Sequence, residues 1–324
     1  MDGMAEHAAR FTSIIHDAGT VAVGAHVDAD GDAVGSTLGL VLALRGLGVE
    51  AVPVIASGTA VPETYAFLPG SALYRDPAGL EPPDVFIALD TPTYARLGAA
   101  EGLARAASHL IVIDHHPDNT GYGTLSMVDA TASSVGAMVW ALLHEMDAVI
   151  DADIATCLYT ALVTDTGRFS YSNTTPRSLR TAAEMIEHGV DVQRVFTDIY
   201  ESRSAGALGL IGRTLERITC VDEGAIAYSR VDAADFADTG ALKAESENLI
   251  DEIRALKGAR VVFLMKATNG VVRVSLRAKG DTDVGSIARG FGGGGHHAAA
   301  GFTFDGDFDG VLDVLLPALR EALA

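Results

Sequence analysis

The chain has 324 residues, 48% of them hydrophobic, and a formal net charge of −20. That much apolar side chain excludes a disordered polymer, and the length allows two domains with buried cores. So negative a chain gains nothing from the nonspecific phosphate attraction that holds proteins on duplex DNA, so no duplex DNA partner is expected. An anionic substrate would have to meet local positive charge, which bound metal ions can supply.

In chain order, Thr20–His26 (TVAVGAH) reads as a buried strand, and Ala33 to Leu47 carries a helical pattern. Glu50–Ile55, Val85–Asp90 and Leu110–Asp114 follow as short apolar strands, with helical patterns over Gly98–Ala107, Ser133–Met146 and Ala152–Thr164. Continuous apolar strands separated by helices predict a parallel sheet covered on both faces. Pro176 to Arg217 is mostly helical. Beyond it the pattern changes to strand pairs: Ala225–Val231, Ala259–Lys266 and Val271–Arg277, the last two joined by a Thr-Asn-Gly turn. The fold class expected is therefore α/β. A parallel-sheet N-terminal domain covers 1–190, a helical connector 191–218, and a smaller α/β C-terminal domain 219–324.

The most apolar long stretch, Gly39 to Ala56, is broken by Arg45 and Glu50, and no basic start with an apolar run opens the chain. No membrane span and no signal peptide are expected. Cys157 and Cys220 lie in apolar surroundings without a CxxC pattern and are expected as reduced core thiols of a cytoplasmic protein.

The predicted parallel strands run into acidic and imidazole side chains. The first continues into His26-Val-Asp28-Ala-Asp30-Gly-Asp32, another ends at Asp90, and a third ends at Asp114-His115-His116. Asp165 closes a helical pattern nearby. A lone aspartate at a strand end is usually a turn former or a cap. Several gathered at the carboxyl edge of one sheet, where ligands of open α/β sheets bind, would repel one another unless a cation neutralised them. Carboxylates with a few imidazoles suit Mn²⁺ or Mg²⁺ better than structural zinc, which favours cysteine. A metal site with two ions is expected. The run Gly292–His297 (GGGGHH) follows a helical stretch and precedes Ala298–Phe304, so the dinucleotide fingerprint fails there. Four glycines would instead expose backbone N–H groups to a phosphate.

At these residues the sequence resembles the DHH phosphoesterase family, in the branch of short-oligonucleotide ribonucleases, pAp phosphatases and cyclic dinucleotide phosphodiesterases. The segments that carry the resemblance are His26 to Ser36, Ala88-Leu-Asp90-Thr91 with Arg96 downstream, and Asp114-His115-His116 with Pro117 and Asn119. Asp129 to Ser134, Tyr159 to Gly167, and Ser275-Leu-Arg277 with the GGGGHH run extend it over nearly the whole chain. The resemblance implies that His26 and Asp30 hold one ion, that Asp32, His115 and Asp165 hold the other, and that Asp90 bridges them. Asp114 and His116 would be catalytic, with His116 orienting the scissile phosphate or protonating the leaving oxygen. Ser275, Arg277, Gly293, Gly294, Gly295 and His296 would hold the far end of the substrate from the DHH-associated C-terminal domain. Ala29, Ala137 and Ala278 depart from residues common in the family; none is a proposed ligand, and the last bears on substrate preference.

Two ions of Mn²⁺, or alternatively Mg²⁺, would support phosphoester hydrolysis of a short nucleotide or oligonucleotide: cyclic di-AMP, pApA, a few-nucleotide RNA or pAp. A homodimer is compatible with the resemblance. RecJ-like DNA exonucleases are usually longer, and family II inorganic pyrophosphatases have a different C-terminal domain. A catalytically silent nucleotide- or nucleic-acid-binding module is the reading from another class. It would be expected to lose ligands, and every proposed ligand is present.

Overall fold

The computed structural model describes residues 4–56, 61–246, 249–268 and 270–323. They fall into two compact units, Met1–Ser202 and Arg203–Ala324. The first unit runs α1 (Met4–His16), β1 (Val21–Gly24), α2 (Gly31–Gly46), β2 (Ala51–Val54), β3 (Val85–Leu89), α3 (Glu101–Ala106), β4 (His109–Asp114), β5 (Leu125–Val128), α4 (Val135–Glu145), α5 (Ala152–Asp165), α6 (Pro176–Glu187) and α7 (Val192–Tyr200). Its five strands lie in the order β2-β1-β3-β4-β5, every pair parallel. Strand alternation divides the apolar side chains between two cores. Val21, Val23, Ile87, Leu89, Ile111 and Ile113 pack in one with residues of α1, α2, α4 and α5, while Ala22, Phe86, Ala88, Leu110 and Val112 meet Leu97, Leu103 and Ala104 in the other. This is the doubly covered sheet that continuous apolar strands require.

Helix α2 is apolar on nearly every side because it is buried on nearly every side. Leu38, Leu40, Val41 and Leu44 are fully buried, each contributing roughly 1.5–3 kcal/mol by area bookkeeping. Gly31, Gly35 and Gly39 recur every fourth residue along its face against α5. A Cβ at Gly35 would overlap the Cys157 carbonyl and come within 2.9 Å of the Ala161 amide. That glycine seam lets the two helix backbones approach closely. It matters for chemistry, because α2 begins at the Asp30–Asp32 segment and α5 ends at Asp165.

The second unit runs α8 (Ala205–Glu216), β6 (Thr219–Val221), β7 (Ile226–Val231), α9 (Ala233–Thr239), α10 (Leu249–Arg254), β8 (Val261–Thr268), β9 (Val271–Ala278), α11 (Val284–Gly290), β10 (Gly294–His296), β11 (Ala299–Asp305) and α12 (Phe308–Leu323). The six strands lie in the order β10-β11-β9-β8-β7-β6, mixed in direction, with β7 and β8 parallel. Phe263, Met265, Val272, Val274 and Leu276 pack with Val284 and Ala288 of α11 and Val311, Leu315 and Leu319 of α12. On the opposite face Ala227, Val262 and Leu264 meet Leu210 of α8 and Leu249, Ile250 and Ile253 of α10.

Residues 191–218, expected as a connector, contain α7 and α8. Val195 and Ile199 of α7 belong to the first unit's core and Leu210 of α8 to the second's. Cys157 is buried, but Cys220 is exposed on β6, which corrects its expectation as a core thiol. Among the described residues β6 pairs only with β7 at the end of the sheet, so its apolar neighbours in sequence do not enclose it. The turn between β8 and β9 includes Asn269, which lies outside the described residues. Among the described residues no helix is long and apolar enough to cross a membrane.

Candidate metal centre

β1, β3 and β4 are adjacent and parallel, so the segments leaving them open on one edge of the sheet. After β1 the chain passes His26 and reaches Asp30, whose carboxylate caps α2 by accepting from the Asp32 and Ala33 amides at 3.0 Å each. After β3, Asp90 adopts a left-handed conformation with φ 51°, which short polar side chains tolerate better than most. After β4 come His115 and His116.

The Asp90 carboxylate reaches two imidazoles at once. Its Oδ2 lies 3.3 Å from His26 Nε2 and its Oδ1 lies 3.4 Å from His115 Nε2. Around His26, Asp30 Oδ1 is 3.8 Å from the same Nε2. Around His115, Asp165 Oδ2 and Asp32 Oδ2 are 3.7 and 3.8 Å from its Nε2. The other ring nitrogens are turned to backbone carbonyls: His26 Nδ1 to Val27 at 2.7 Å and His115 Nδ1 to Ala132 at 3.2 Å. With Nδ1–H donating there, each Nε2 faces the carboxylates, and once it has given up its proton it offers the lone pair by which metal-bound histidines bind.

Without a cation this cluster must hold protons. Burial pulls the His26 and His115 imidazoles down. The hydrogen bonds and charges of Asp30 and Asp90 for the one, and of Asp165, Asp90 and Asp32 for the other, override it and leave both well above the usual range. Burial lifts Asp32 well above the carboxylate range, and the charges of Asp90 and Asp165 add to it. Burial likewise lifts Asp165 to about 7, with His115 opposing and Asp90 and Asp30 adding. A divalent cation would relieve the same repulsion with every ligand deprotonated. The residues fit such an ion on two further counts. Asp90 Oδ1 is buried and met only loosely, His115 Nε2 and His116 Nδ1 each lying 3.4 Å away, which is costly for an anionic oxygen. The sets His26–Asp30–Asp90 and Asp32–Asp90–His115 each place their ligand atoms within 4.8 Å of one another.

Residues 20–162 match the DHH family, N-terminal domain, and residues 223–324 match the DHHA1 domain. The chain is 36% identical over 308 residues to the bifunctional oligoribonuclease and PAP phosphatase NrnA of Thermus thermophilus, covering 94% of this chain and 90% of that protein. It is 30% identical over 292 residues to the protein of the same name from Bacillus subtilis, covering 87% and 88%. The chain belongs to the DHH family of phosphoesterases. Its fold is also that of an exopolyphosphatase-related protein from Bacteroides fragilis, with a TM-score of 0.89, 24% identity, and coverage of 98% of this chain and 96% of that one. RecJ of Thermus thermophilus, solved in complex with Mn²⁺, shares the fold at a TM-score of 0.55 and 18% identity, covering 100% of this chain and 54% of its own.

In this DHH chain the name-giving triplet splits its work. Asp114 is wholly buried and its oxygens are spent on local donors. Oδ1 accepts from the His115 and His116 amides at 2.8 and 3.3 Å and lies 2.8 Å from His116 Nδ1, while Oδ2 accepts from Asn119 Nδ2 at 2.7 Å. His116 is the most open of the three imidazoles, 15% exposed against 8% for His26 and 4% for His115.

Several supporting groups were not legible as such. Both Asp32 oxygens accept amides from the first turn of α4: Oδ2 from Val135 at 2.6 Å and Oδ1 from Gly136 at 2.8 Å. A helix N-terminus is a ready anion holder, and the Ser133-Ser134 pair before it was the available signal, since Ser134 is the α4 cap. Asn173 Nδ2 spans the Asp165 carbonyl at 3.1 Å, its Oδ2 at 3.4 Å and the Ser133 carbonyl at 3.1 Å, tying the end of α5 to the start of α4.

The remaining expected residues lie in the second unit. Ser275 and Arg277 project from one face of β9, and the register through β11 puts Gly294 and His296 of β10 in their rows. The glycine run is not a row of open amides. Gly292 and Gly293 donate to the Arg289 and Ala288 carbonyls at 3.0 and 2.9 Å, closing α11, and Gly294–His296 pairs with β11. The glycines are needed for close approach: a Cβ at Gly293 would overlap the Gly301 carbonyl, and Gly295 has φ 132°.

Proposed function

We propose that this DHH phosphoesterase hydrolyses short oligoribonucleotides and pAp with two divalent ions, Mn²⁺ or alternatively Mg²⁺, held in two ligand sets that share Asp90. His26 and Asp30 would complete one set, and Asp32, His115 and Asp165 the other. The observation that carries the reading is the Asp90 carboxylate, buried between two imidazoles, one oxygen facing His26 and the other facing His115. The substrate class rests on the two NrnA relatives, which match nearly end to end, and the preference for Mn²⁺ on the donor set and on RecJ.

Bound at such a centre, divalent ions make water nucleophilic near neutral pH and stabilise charge developing on phosphoryl oxygens. The chain's own residues supply the rest. The α4 amides hold Asp32, and Asn173 holds Asp165, so these ligands need no reorganisation when substrate arrives. His116, with Nδ1 fixed by Asp114, would orient the scissile phosphate or give its proton to the leaving oxygen. Asp114 would act through His116 as a positioning residue, stabilising the imidazolium form. In the second unit, Arg277, Ser275 and the β10 row with His296 would hold the rest of the substrate, Arg277 as a charge-assisted donor to phosphate. The bounds 1–190, 191–218 and 219–324 would divide catalysis, connection and substrate holding along the chain.

The test is a parallel hydrolysis assay with Mn²⁺ on pAp, pApA, a five-nucleotide RNA and cyclic di-AMP, with the Asp114→Ala/His115→Ala protein as control. Turnover of the RNA and of pAp, lost in the control, is expected. No turnover of any of the four with metal demonstrably bound would overturn the reading.

A further inference from the structure

Beyond Asp165 the backbone turns in an unusual way. Gly167, Arg168 and Phe169 have φ of 54°, 60° and 60°, three left-handed residues in succession, although residues with a Cβ adopt that conformation singly and at a cost. One glycine would suffice to end α5. The turn is held by amides, Arg168 donating to the Val163 carbonyl at 2.8 Å and Ser170 to that of Thr166 at 3.0 Å. Its effect is to send two neighbouring side chains different ways. Phe169 packs against the first unit's core, its ring 6.5 Å from that of Tyr159, while the Arg168 guanidinium lies over the Tyr200 ring, 5.0 Å from its centroid.

α7 supplies the rest. Val195 and Ile199 are buried, and Phe196 and Tyr200, one turn apart, share the flank beside them with their ring centroids 5.1 Å apart. Tyr200 is partly packed on the core, whereas Phe196 is 40% exposed. The acidic side chains nearest in sequence are engaged elsewhere: Asp198 Oδ2 lies 3.6 Å from Arg194 Nε, and Glu201 accepts from Thr197 Oγ1 at 3.2 Å. Among the described residues the Arg168 guanidinium pairs with no carboxylate, in a chain of net charge −20. An exposed aromatic ring, a second ring against it and an arginine over that second ring are the parts that hold single-stranded nucleic acid, where bases stack on aromatic faces and arginine adds cation–π attraction. The place fits as well. Arg168 follows Asp165 by three residues, at most about 11 Å of chain, so a nucleotide next to one held at the metal centre comes within its reach.

We infer that Phe196, Tyr200 and Arg168 form a stacking platform for a base of a single-stranded oligoribonucleotide whose phosphate lies at the metal centre. The inference rests on the proposed hydrolysis of short oligoribonucleotides and adds to it a binding site in the first unit. The base lies on the open face of Phe196. Tyr200 supports that ring, and Arg168, fixed over Tyr200, keeps its N–H groups for the adjoining phosphate. Stacking is tolerant of sequence because every base has a π-face, so the platform adds affinity without selecting among bases.

The experiment mixes the Mn²⁺-loaded protein rapidly with five-nucleotide RNAs that carry 2-aminopurine at each position in turn, and reads the fluorescence before turnover. Stacking on an aromatic ring quenches that base. Wild type should quench it in at least one of the RNAs; Phe196→Leu should lose the quench and Phe196→Trp should keep it. Because Phe196 is exposed, these substitutions spare the fold, which an unchanged Mn²⁺-induced rise in Tm verifies. The KM for the RNA should rise about fivefold or more in Phe196→Leu and in Arg168→Gln. No quench in wild type would overturn the platform. So would a quench and a KM that both survive Phe196→Leu and Arg168→Gln, the result expected if the rings receive a protein instead. The proposed function is judged separately by the assay of the four substrates: turnover without quench leaves it standing, and quench without turnover overturns it alone.

Discussion

Asp90→Asn isolates the residue on which the two-ion reading depends. Asparagine keeps the shape of the side chain and accepts the left-handed backbone at φ 51°. It removes a charge that, like that of Asp30, both Asp32 and Asp165 feel as repulsion and that His26 and His115 feel as attraction, so the two effects on the metal-free fold oppose each other. The metal-free protein should therefore melt within a few degrees of wild type. The metal response should not survive, because the side chain meets His26 through one oxygen and His115 through the other, so each ligand set loses its shared anion. At a Mn²⁺ concentration one hundred times the wild-type Kd, linkage stabilises the native state by about 2.7 kcal/mol. That is a rise of about 5–11 °C for a unit of this size. A hundredfold weaker affinity, the upper end of what even supporting residues contribute, leaves about 0.4 kcal/mol, a rise of about 1–2 °C. Thermal unfolding with and without Mn²⁺ measures both quantities on the same samples. If Asp90→Asn shows the wild-type metal-induced rise, Asp90 is not a ligand and the shared-carboxylate reasoning fails.

Asp114→Asn places an amide where Asp114 now accepts only from donors. Its kcat should fall about 10–100-fold while KM and the Mn²⁺-induced rise in Tm stay near wild type; loss of the metal response instead would make Asp114 a ligand. Gly35→Ala puts a methyl against the backbone of α5 and should cost on the order of 1–3 kcal/mol, read as a lower Tm together with weaker Mn²⁺ binding. An unchanged Tm would show that α2 and α5 can separate freely. A thiol reagent under native conditions should modify Cys220 at once and Cys157 only on unfolding, because Cys157 is buried and burial pushes its thiol up. Equal rates at the two cysteines would contradict the packing of α5.

What could be read in the sequence follows from how parallel sheets are made. Strands buried on both faces must be apolar throughout, so β1, β3 and β4 stand out, and the first polar residues after each must lie on one edge. His26, Asp90 and the Asp114-His115-His116 triplet are gathered by that logic alone. The strands β5, β6 and β10 have 4, 3 and 3 residues and carry Ser126, Thr219 and Gly294-Gly295 in place of a continuous apolar run, so their place depends on the neighbour each one pairs with. The tertiary structure decided what each acidic residue does. Asp90 and Asp114 both end parallel strands, yet only the backbone turn at Asp90 frees its carboxylate for the cluster, while local donors consume that of Asp114. Asp32 is held by helix amides from a segment about a hundred residues away, and a glycine seam sets where Asp165 meets it. Spacing along a chain fixes which residues can share an edge. Which of their oxygens remain unpaired is settled by the donors that packing brings alongside, and those are distant in sequence.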